Sequence, residues 1–131
     1  MDAGPCDTDV RHTLVARGGA SLPLGFEVSS ILTARSPPPY AATTSTPLVI
    51  FTRYEPRNRR RGTGFFSWDV RLGRNTRITS RLSARLFVEA FNVLNHRNFS
   101  TYVANVSSAQ FGRPSEAFAP RRVQLGLRLD F

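Results

Sequence analysis

The sequence predicts an all-β fold, an antiparallel meander of about five amphipathic strands. Apolar and polar residues alternate with period two in several segments, and this spacing places one residue type on each face of a β-strand. The charged residues of these segments keep almost entirely to one parity. Short and long connections also alternate along the chain. Together these features favour strands joined in sequence order, without a substantial helix.

The first two strands are expected at residues 12–22 and 26–35, with a tight turn at Pro23–Gly25 between them. Gly18 and Gly19 blur the alternation of the first strand. The second strand keeps its apolar residues on one parity, with an exception at two adjacent positions. The apolar residues are Phe26, Val28, Leu32 and Ala34, and the exceptions are Ser30 and Ile31.

A third strand is expected at residues 65–74 and a fourth at 80–91, joined by a short turn at residues 75–80. The apolar parity of the third strand holds Phe66, Trp68, Val70 and Leu72. The apolar parity of the fourth holds Leu82, Ala84, Leu86, Val88 and Ala90. The opposite parities hold Asp69, Arg71, Arg81, Arg85 and Glu89, together with Phe87 and Phe91. Each segment therefore has one apolar and one charged face.

The fifth strand, at residues 122–131, shows the alternation most clearly. Its apolar parity holds Val123, Leu125, Leu127, Leu129 and Phe131, and its polar parity includes Arg128 and Asp130. Ten residues is about the length of a tilted strand that crosses a membrane. Among the charged residues of the four clear strands only Arg74 lies on the apolar parity, at a strand end where a long side chain can reach the interface.

The remaining segments, residues 36–63 and 92–121, are long and rich in Pro, Ser, Thr, Asn and Arg, which predicts loops. Short turns alternating with long loops are typical of bacterial outer-membrane barrels and unusual in soluble meanders. The polar parity also spaces opposite charges two or four residues apart, as in an ion-paired lumen wall. The sequence therefore predicts an open segment of an outer-membrane β-barrel, with outer-membrane lipid as its partner. The expected lipid-facing residues are Phe66, Trp68, Val70, Leu72, Leu82, Leu86 and Val88. The expected lumen-facing residues are Asp69, Arg71, Arg81, Arg85, Glu89, Arg128 and Asp130.

Two alternatives come from other classes of protein. All 18 basic residues are arginines, and the formal net charge of +9 is compatible with a basic nucleic-acid-binding β domain. The arginines are spread along the chain, however, so we expect no nucleic-acid partner. The second alternative is a soluble antiparallel barrel that binds a small apolar ligand, with Leu125, Leu127 and Leu129 buried inside it.

No residue pattern suggests catalysis. The chain has one cysteine, Cys6, and its two histidines, His12 and His96, lie in separate segments without a carboxylate cluster. No nucleophile elbow or glycine-rich phosphate loop is present in the sequence. We therefore expect no enzymatic activity, no metal and no cofactor. Arg57 and Arg59–61 could contact an anionic ligand or a lipopolysaccharide phosphate, or simply form a solvated loop.

Two segments carry a resemblance to a known family. Residues 87–99 (Phe-Val-Glu-Ala-Phe-Asn-Val-Leu-Asn-His-Arg-Asn-Phe) and 122–131 resemble the C-terminal end of TonB-dependent receptors, in particular the Oar-like group whose barrels follow a carboxypeptidase-regulatory-like domain. Residues 9–12, 22–26, 64–71 and 111–114 resemble the same group. The apolar strand ending in Phe131 also resembles the signal that the barrel-assembly machinery recognises by strand pairing.

The resemblance implies a protein of the Gram-negative outer membrane that takes up or binds a bulky ligand. It further implies that a plug domain, the segment that contacts TonB and most of roughly twenty-two strands would lie upstream of Met1. The chain is therefore expected to be a fragment, a truncated reading frame or one piece of a split gene, inactive alone.

Overall fold

The computed structural model describes residues 4–44, 52–53 and 55–131, which form β-strands and one short 3-10 turn at Pro23–Gly25. The strands in chain order are β1 (Thr13–Leu22), β2 (Phe26–Arg35), β3 (Pro39–Tyr40), β4 (Thr43–Thr44), β5 (Thr52–Arg53), β6 (Arg60–Arg61), β7 (Phe65–Arg77), β8 (Ser83–Phe91), β9 (Phe99–Tyr102), β10 (Pro114–Ala117) and β11 (Arg122–Asp130). These residues contain no helix that is long and apolar enough to cross a membrane.

The five long strands form one antiparallel sheet in the order β1-β2-β7-β8-β11. Each long strand is hydrogen-bonded to the next long strand in the sequence, so the sheet is a meander. The prediction of an all-β antiparallel meander is confirmed, and the bounds of β2 agree with the expected ones. By contrast, β7 continues three residues beyond the expected end, and β8 begins at Ser83 rather than at residue 80.

The turn between β7 and β8 accounts for the late start of β8. The backbone N–H groups of Ile78 and Thr79 both donate to the carbonyl of Leu82, at 2.9 and 3.0 Å. The Thr79 hydroxyl in turn accepts from the N–H of Leu82 at 3.0 Å and of Arg81 at 3.3 Å. A threonine side chain that bonds nearby backbone groups favours a turn over a strand. Arg81 and Leu82, expected on opposite faces of a strand, therefore lie in a turn.

The turn between β1 and β2 depends on its glycine. Leu24 and Gly25 both have positive φ angles, 62° and 77°. A Cβ atom on Gly25 would also collide with the carbonyl oxygen of Asn75 on β7. Glycine is the residue that satisfies both the positive φ and the close approach of the neighbouring backbone.

The two long connections, expected to be irregular loops, contain short paired strands. Antiparallel pairs join β3 to β6, β4 to β5 and β9 to β10. An isolated parallel bridge also joins Thr43 to Asn105. The polar composition of these segments predicted irregular loops. Backbone N–H and C=O groups that are removed from water need hydrogen-bond partners, and the short strand pairs supply them.

The chain divides into two compact units, which we call the loop unit and the sheet unit. The loop unit comprises the described residues within Met1–Thr13, Ala34–Phe65 and Arg97–Phe118. The sheet unit comprises Leu14–Thr33, Phe66–His96 and Ala119–Phe131. Among the described residues, the buried apolar side chains are those of Pro39 and Ala42, and the buried polar residues are Asn58, Asn92 and Asn98. The sheet unit therefore exposes its apolar residues rather than enclosing a core.

Candidate functional site: the two faces of the sheet

The register of β7, β8 and β11 aligns the predicted apolar residues in rows across the sheet. Leu72 on β7 lies opposite Val88 on β8, and Val88 lies opposite Leu125 on β11. Leu86 likewise lies opposite Leu127. Residues directly opposite each other on adjacent strands point to the same side of a sheet. We call this side the apolar face; it consists of Phe66, Trp68, Val70, Leu72, Ala84, Leu86, Val88, Ala90, Val123, Leu125, Leu127 and Leu129.

The apolar face is open to its surroundings. On the edge strand β11, Leu125, Leu127 and Leu129 have relative exposures of 71%, 63% and 51%. On the inner strands, Leu86 and Val88 are exposed by 47% and 38%. The soluble-barrel alternative required the three leucines of β11 to be buried. That alternative is therefore wrong for this structure.

The indole group of Trp68, on the apolar face, has a specific hydrogen-bond partner. The indole N–H of Trp68 donates to the Ser30 hydroxyl across the β2–β7 pair at 2.7 Å. Ser30 broke the sequence alternation of β2, and this contact explains why a hydroxyl is suited to the position. A tryptophan whose N–H is satisfied within the sheet presents its ring without an unpaired donor.

The opposite side, which we call the polar face, is connected by hydrogen bonds and ion pairs between strands. A guanidinium nitrogen of Arg71 on β7 lies 3.2 Å from the Glu89 carboxylate on β8. The side-chain amide of Gln124 on β11 donates to the same carboxylate. Glu89 thus joins three adjacent strands, and its side chain is only 18% exposed.

A second polar chain lies on the same face. The Arg85 side chain on β8 donates to the Asn75 amide oxygen on β7 at 2.7 Å. The Asn75 amide nitrogen donates in turn to the Glu27 carboxylate on β2 at 3.0 Å. Together the two networks link side chains of the polar face across the strands from β2 to β11.

In these contacts the charged side chains of the polar face meet partners on neighbouring strands. Arg128 and Asp130, two residues apart on β11, are also in contact, at 2.8 Å. Arg71 pairs with Glu89 rather than with Asp69, and Arg85 bonds Asn75 rather than Glu89. Directly opposite residues on adjacent strands lie closer than residues two apart on one strand, so the partner across the ladder prevails.

Phe87 fills the polar face between two glycines. Gly73 on β7 and Gly126 on β11 lie on either side of Phe87 in the register. A Cβ atom on Gly126 would collide with the Phe87 ring. The guanidinium carbon of Arg71 lies 4.2 Å from the centre of that ring, within cation–π range. The phenylalanine is therefore part of the wall of this face.

The asparagines of the segment after β8 form a tight turn. Asn92 and Asn95 have positive φ angles of 51° and 50°, a backbone region that asparagine tolerates better than most residues. The Asn92 amide group donates to the carbonyl of His96 and accepts from its N–H, both at 3.0 Å. The Asp69 carboxylate accepts from the backbone N–H of Asn92 at 2.9 Å. Asp69, expected on the lumen face, thus anchors this turn.

A family model described as an outer membrane beta barrel domain matches residues 51–124, more than half of the chain. The chain belongs to the outer membrane beta barrel domain family. No curated protein and no solved structure shows a significant match. The family agrees with the geometry, because an outer-membrane barrel carries an apolar band on its outside and a polar interior.

The barrel domain has a depression on its polar face. The depression has a volume of about 420 Å³ and is lined by residues of β1, β2, β7 and β8. Arg71, Arg85 and Glu27 provide its charged groups, whereas Gly19 and Gly73 leave space between them. Such a surface can hold water or polar side chains, as the interior of an outer-membrane barrel does.

The arginines at positions 57, 60 and 61 of the barrel domain have carboxylate partners within the loop unit. Arg57 lies 3.3 Å from Asp7, Arg60 2.5 Å from Glu55 and Arg61 2.6 Å from Asp9. The bond from Glu55 raises the pKa of the Arg60 guanidinium above its usual value. These three arginines hold the loop unit together instead of forming an open cationic patch, and the neighbouring Arg59 is exposed.

Asp7 is bound from two sides. The buried Asn58 donates to the Asp7 carboxylate at 2.5 Å and to the carbonyl of Pro5 at 2.7 Å. The hydrogen bond from Asn58, followed by the bond and positive charge of Arg57, lowers the pKa of Asp7 below its usual value. Sequence reasoning missed Asn58, because a single asparagine among arginines gives no sign of its long-range contacts.

Proposed function

We propose that this outer-membrane barrel domain is the C-terminal barrel segment of a TonB-dependent receptor that takes up or binds a bulky ligand. The observation that supports it best is the pair of unlike faces, one apolar and exposed and one linked by Arg71–Glu89 and Arg85–Asn75. The resemblance of residues 87–99 and 122–131 to TonB-dependent receptors supports the assignment of the barrel domain to such a receptor.

In this proposal the apolar face contacts outer-membrane lipid. Its lipid-facing residues are Phe66, Trp68, Val70, Leu72, Leu86 and Val88. The lumen is lined by Asp69, Arg71, Arg85, Glu89, Arg128 and Asp130. Apolar side chains in contact with acyl chains avoid water, and charged side chains in a polar lumen avoid the cost of burial in hydrocarbon.

The five-stranded sheet requires further strands to become a barrel. Single-chain outer-membrane barrels use about eight strands or more. In the described sheet β1 and β11 each have one hydrogen-bonded neighbour, and hydrocarbon cannot satisfy the free edge. The remaining strands, and a plug that engages TonB, are supplied in this proposal by the rest of a longer parent protein.

The edge strand β11 also has a proposed role in assembly. Its apolar residues Val123, Leu125, Leu127 and Leu129, with Phe131 beyond the strand, form the assembly signal. Strand addition to an exposed edge is a general mode of recognition, and the barrel-assembly machinery is the proposed partner. Deletion of Phe131 from the full-length parent is expected to lower its outer-membrane level without lowering its synthesis. An unchanged outer-membrane level would contradict this role.

The receptor assignment is tested on the same full-length parent protein. We expect the detergent-solubilised parent to retain the purified periplasmic domain of TonB in a pull-down, and to lose it when the TonB-contacting segment is deleted. A parent that folds as an outer-membrane barrel but never retains TonB would reject the receptor role and leave the barrel assignment intact.

We further propose a Gram-negative outer-membrane location, no enzymatic activity, no cofactor and no nucleic-acid partner. The absence of a nucleic-acid partner is supported by five arginines of the described residues that have carboxylate partners, among them Arg71 and Arg128. Binding of nucleic acid requires arginines that are free to contact phosphates.

A further inference from the structure

The loop unit contains an apolar cleft of about 170 Å³. All of its lining residues belong to this unit. Its lining includes the residues with the largest side chains, Val10, Arg35, Pro38, Phe65, Phe99 and Phe118. Three hydroxyl residues, Ser36, Thr63 and Ser100, complete the lining.

The aromatic wall of the cleft has a defined geometry. The rings of Phe65 and Phe118 meet edge to face, with centroids 5.3 Å apart and an angle of 84° between the planes. The backbone N–H of Phe118 donates to the carbonyl of Asn98 at 2.8 Å, which anchors the main chain that carries this ring. Edge-to-face contacts of this kind stabilise aromatic pairs and leave ring faces available to a third ring.

The hydroxyl groups of two lining residues are already engaged. The Ser36 hydroxyl accepts from the backbone N–H of His12 at 3.0 Å. The Thr63 hydroxyl lies 2.7 Å from the Tyr102 hydroxyl, which also accepts from the Thr63 N–H at 2.6 Å. These contacts fix the rim of the cleft.

Arg35 is the charged residue of the lining. Its guanidinium carbon lies 4.6 Å from the centre of the Phe65 ring, so the cation lies beside the apolar wall of the cleft, within cation–π range. Among the described residues no carboxylate pairs with Arg35, in contrast to Arg57, Arg60 and Arg61. A planar guanidinium without an acidic partner is suited to bind a carboxylate through two parallel hydrogen bonds.

The size of the cleft limits the apolar part of a ligand. A cavity of roughly 150 Å³ lined by apolar side chains holds one benzene ring. We propose that this cleft binds a small aromatic carboxylate, with the ring against Phe65, Phe99 and Phe118 and the carboxylate on Arg35. This site does not depend on the proposed receptor role, since its residues and its charge lie within the loop unit.

The test uses 4-fluorobenzoate as the probe and the full chain refolded in detergent. Fluorine-19 NMR line broadening is titrated against protein, and empty micelles provide the baseline for partitioning of the probe. We expect saturable binding of 4-fluorobenzoate and at least about tenfold weaker binding of 4-fluorobenzyl alcohol, because the neutral alcohol lacks the charge-assisted bonds to Arg35.

Matched variants locate the site. Arg35→Met is expected to weaken 4-fluorobenzoate binding about tenfold, whereas Arg59→Met, which removes the same charge from an exposed position, leaves it unchanged. Phe118→Ala removes the ring wall and is expected to weaken both probes. Circular dichroism verifies that each variant retains its strands. Absence of saturable binding, or equal weakening by Arg35→Met and Arg59→Met, would overturn the proposal.

Discussion

At the scale of single residues, the sheet unit is held by side chains that bridge strands rather than by a buried core. Asn92 is the clearest case, because it is 95% removed from solvent in a chain with few buried residues. Its amide group satisfies both backbone groups of His96, and its own N–H is bound by Asp69. One asparagine therefore connects the end of β8 to β7.

Replacement of Asn92 by alanine is expected to destabilise the refolded chain by about 1–3 kcal/mol, because it removes the two hydrogen bonds to the backbone of His96 and places alanine at a positive φ. The midpoint of urea unfolding in detergent measures the effect. Leu94→Ala, at an exposed position of the same turn, is the control and should change the midpoint little. Equal midpoints for the Asn92 variant and the parent would show that the turn contributes no stability.

Gly126 provides a second residue-scale prediction. Gly126→Ala is expected to destabilise the sheet by about 1–3 kcal/mol, because the added methyl group meets the Phe87 ring. Gly18→Ala on β1 is a matched control, because a Cβ atom there meets no atom within 4 Å. In the double variant Phe87→Ala/Gly126→Ala, the alanine at residue 126 should cost less than it does alone. Additive effects of the two changes would argue against the contact.

At the scale of elements, the sequence predicted the long strands better than the contacts between them. The period-two pattern of β11 is continuous, so its start at Arg122 follows from residue type alone. The bounds of β2 agree with the expected ones although Ser30 and Ile31 interrupt its pattern. The start of β8 could not be predicted from residue type, because the Thr79 hydroxyl accepts hydrogen bonds from backbone N–H groups that a strand would otherwise use. The partners of Arg71 and Asp69 also required the register, which a single sequence does not contain.

The N-terminal segment is an element whose attachment depends on pH. Asp7 has a lowered pKa in the folded chain, so its contacts with Asn58 and Arg57 stabilise the attached segment above the usual carboxylate value of 3.8. This stability is lost as the pH falls through the lower, folded pKa. Below about pH 3.8 we therefore expect the segment to detach progressively from Asn58.

The exposed Cys6 allows a direct measurement without further substitutions. A spin label on Cys6 should give an electron paramagnetic resonance spectrum that becomes more mobile as the pH is lowered below 3.8. Asp7→Asn removes this ionisable group and leaves the contact of Asp9 with Arg61, so the variant should show a smaller change over this pH range than the parent. A parent spectrum that is as mobile at neutral pH as in acid would contradict the attachment.

At the scale of the whole molecule, the exposed apolar face determines how the chain behaves in water. Leu125 and Leu127 expose more than half of their surface, and Trp68 and Leu86 on the inner strands are also exposed. No second layer of the described chain covers this face. Contiguous apolar surface of this kind drives association, and the free edges of β1 and β11 offer additional strand pairing.

We therefore expect the isolated chain to form inclusion bodies on expression and to require detergent after refolding. Sedimentation velocity should show large, concentration-dependent species in detergent-free buffer and a dispersed species in detergent micelles. Leu125→Asn/Leu127→Asn should reduce association in water, because it places polar groups in the most exposed part of the apolar face, whereas Leu24→Asn in the β1–β2 turn should not. A sharp, concentration-independent monomer with a cooperative melt in plain buffer would mean that the apolar face is buried. Because lipid contact requires that face to be outside, the same result would remove the physical basis for placing it against the membrane.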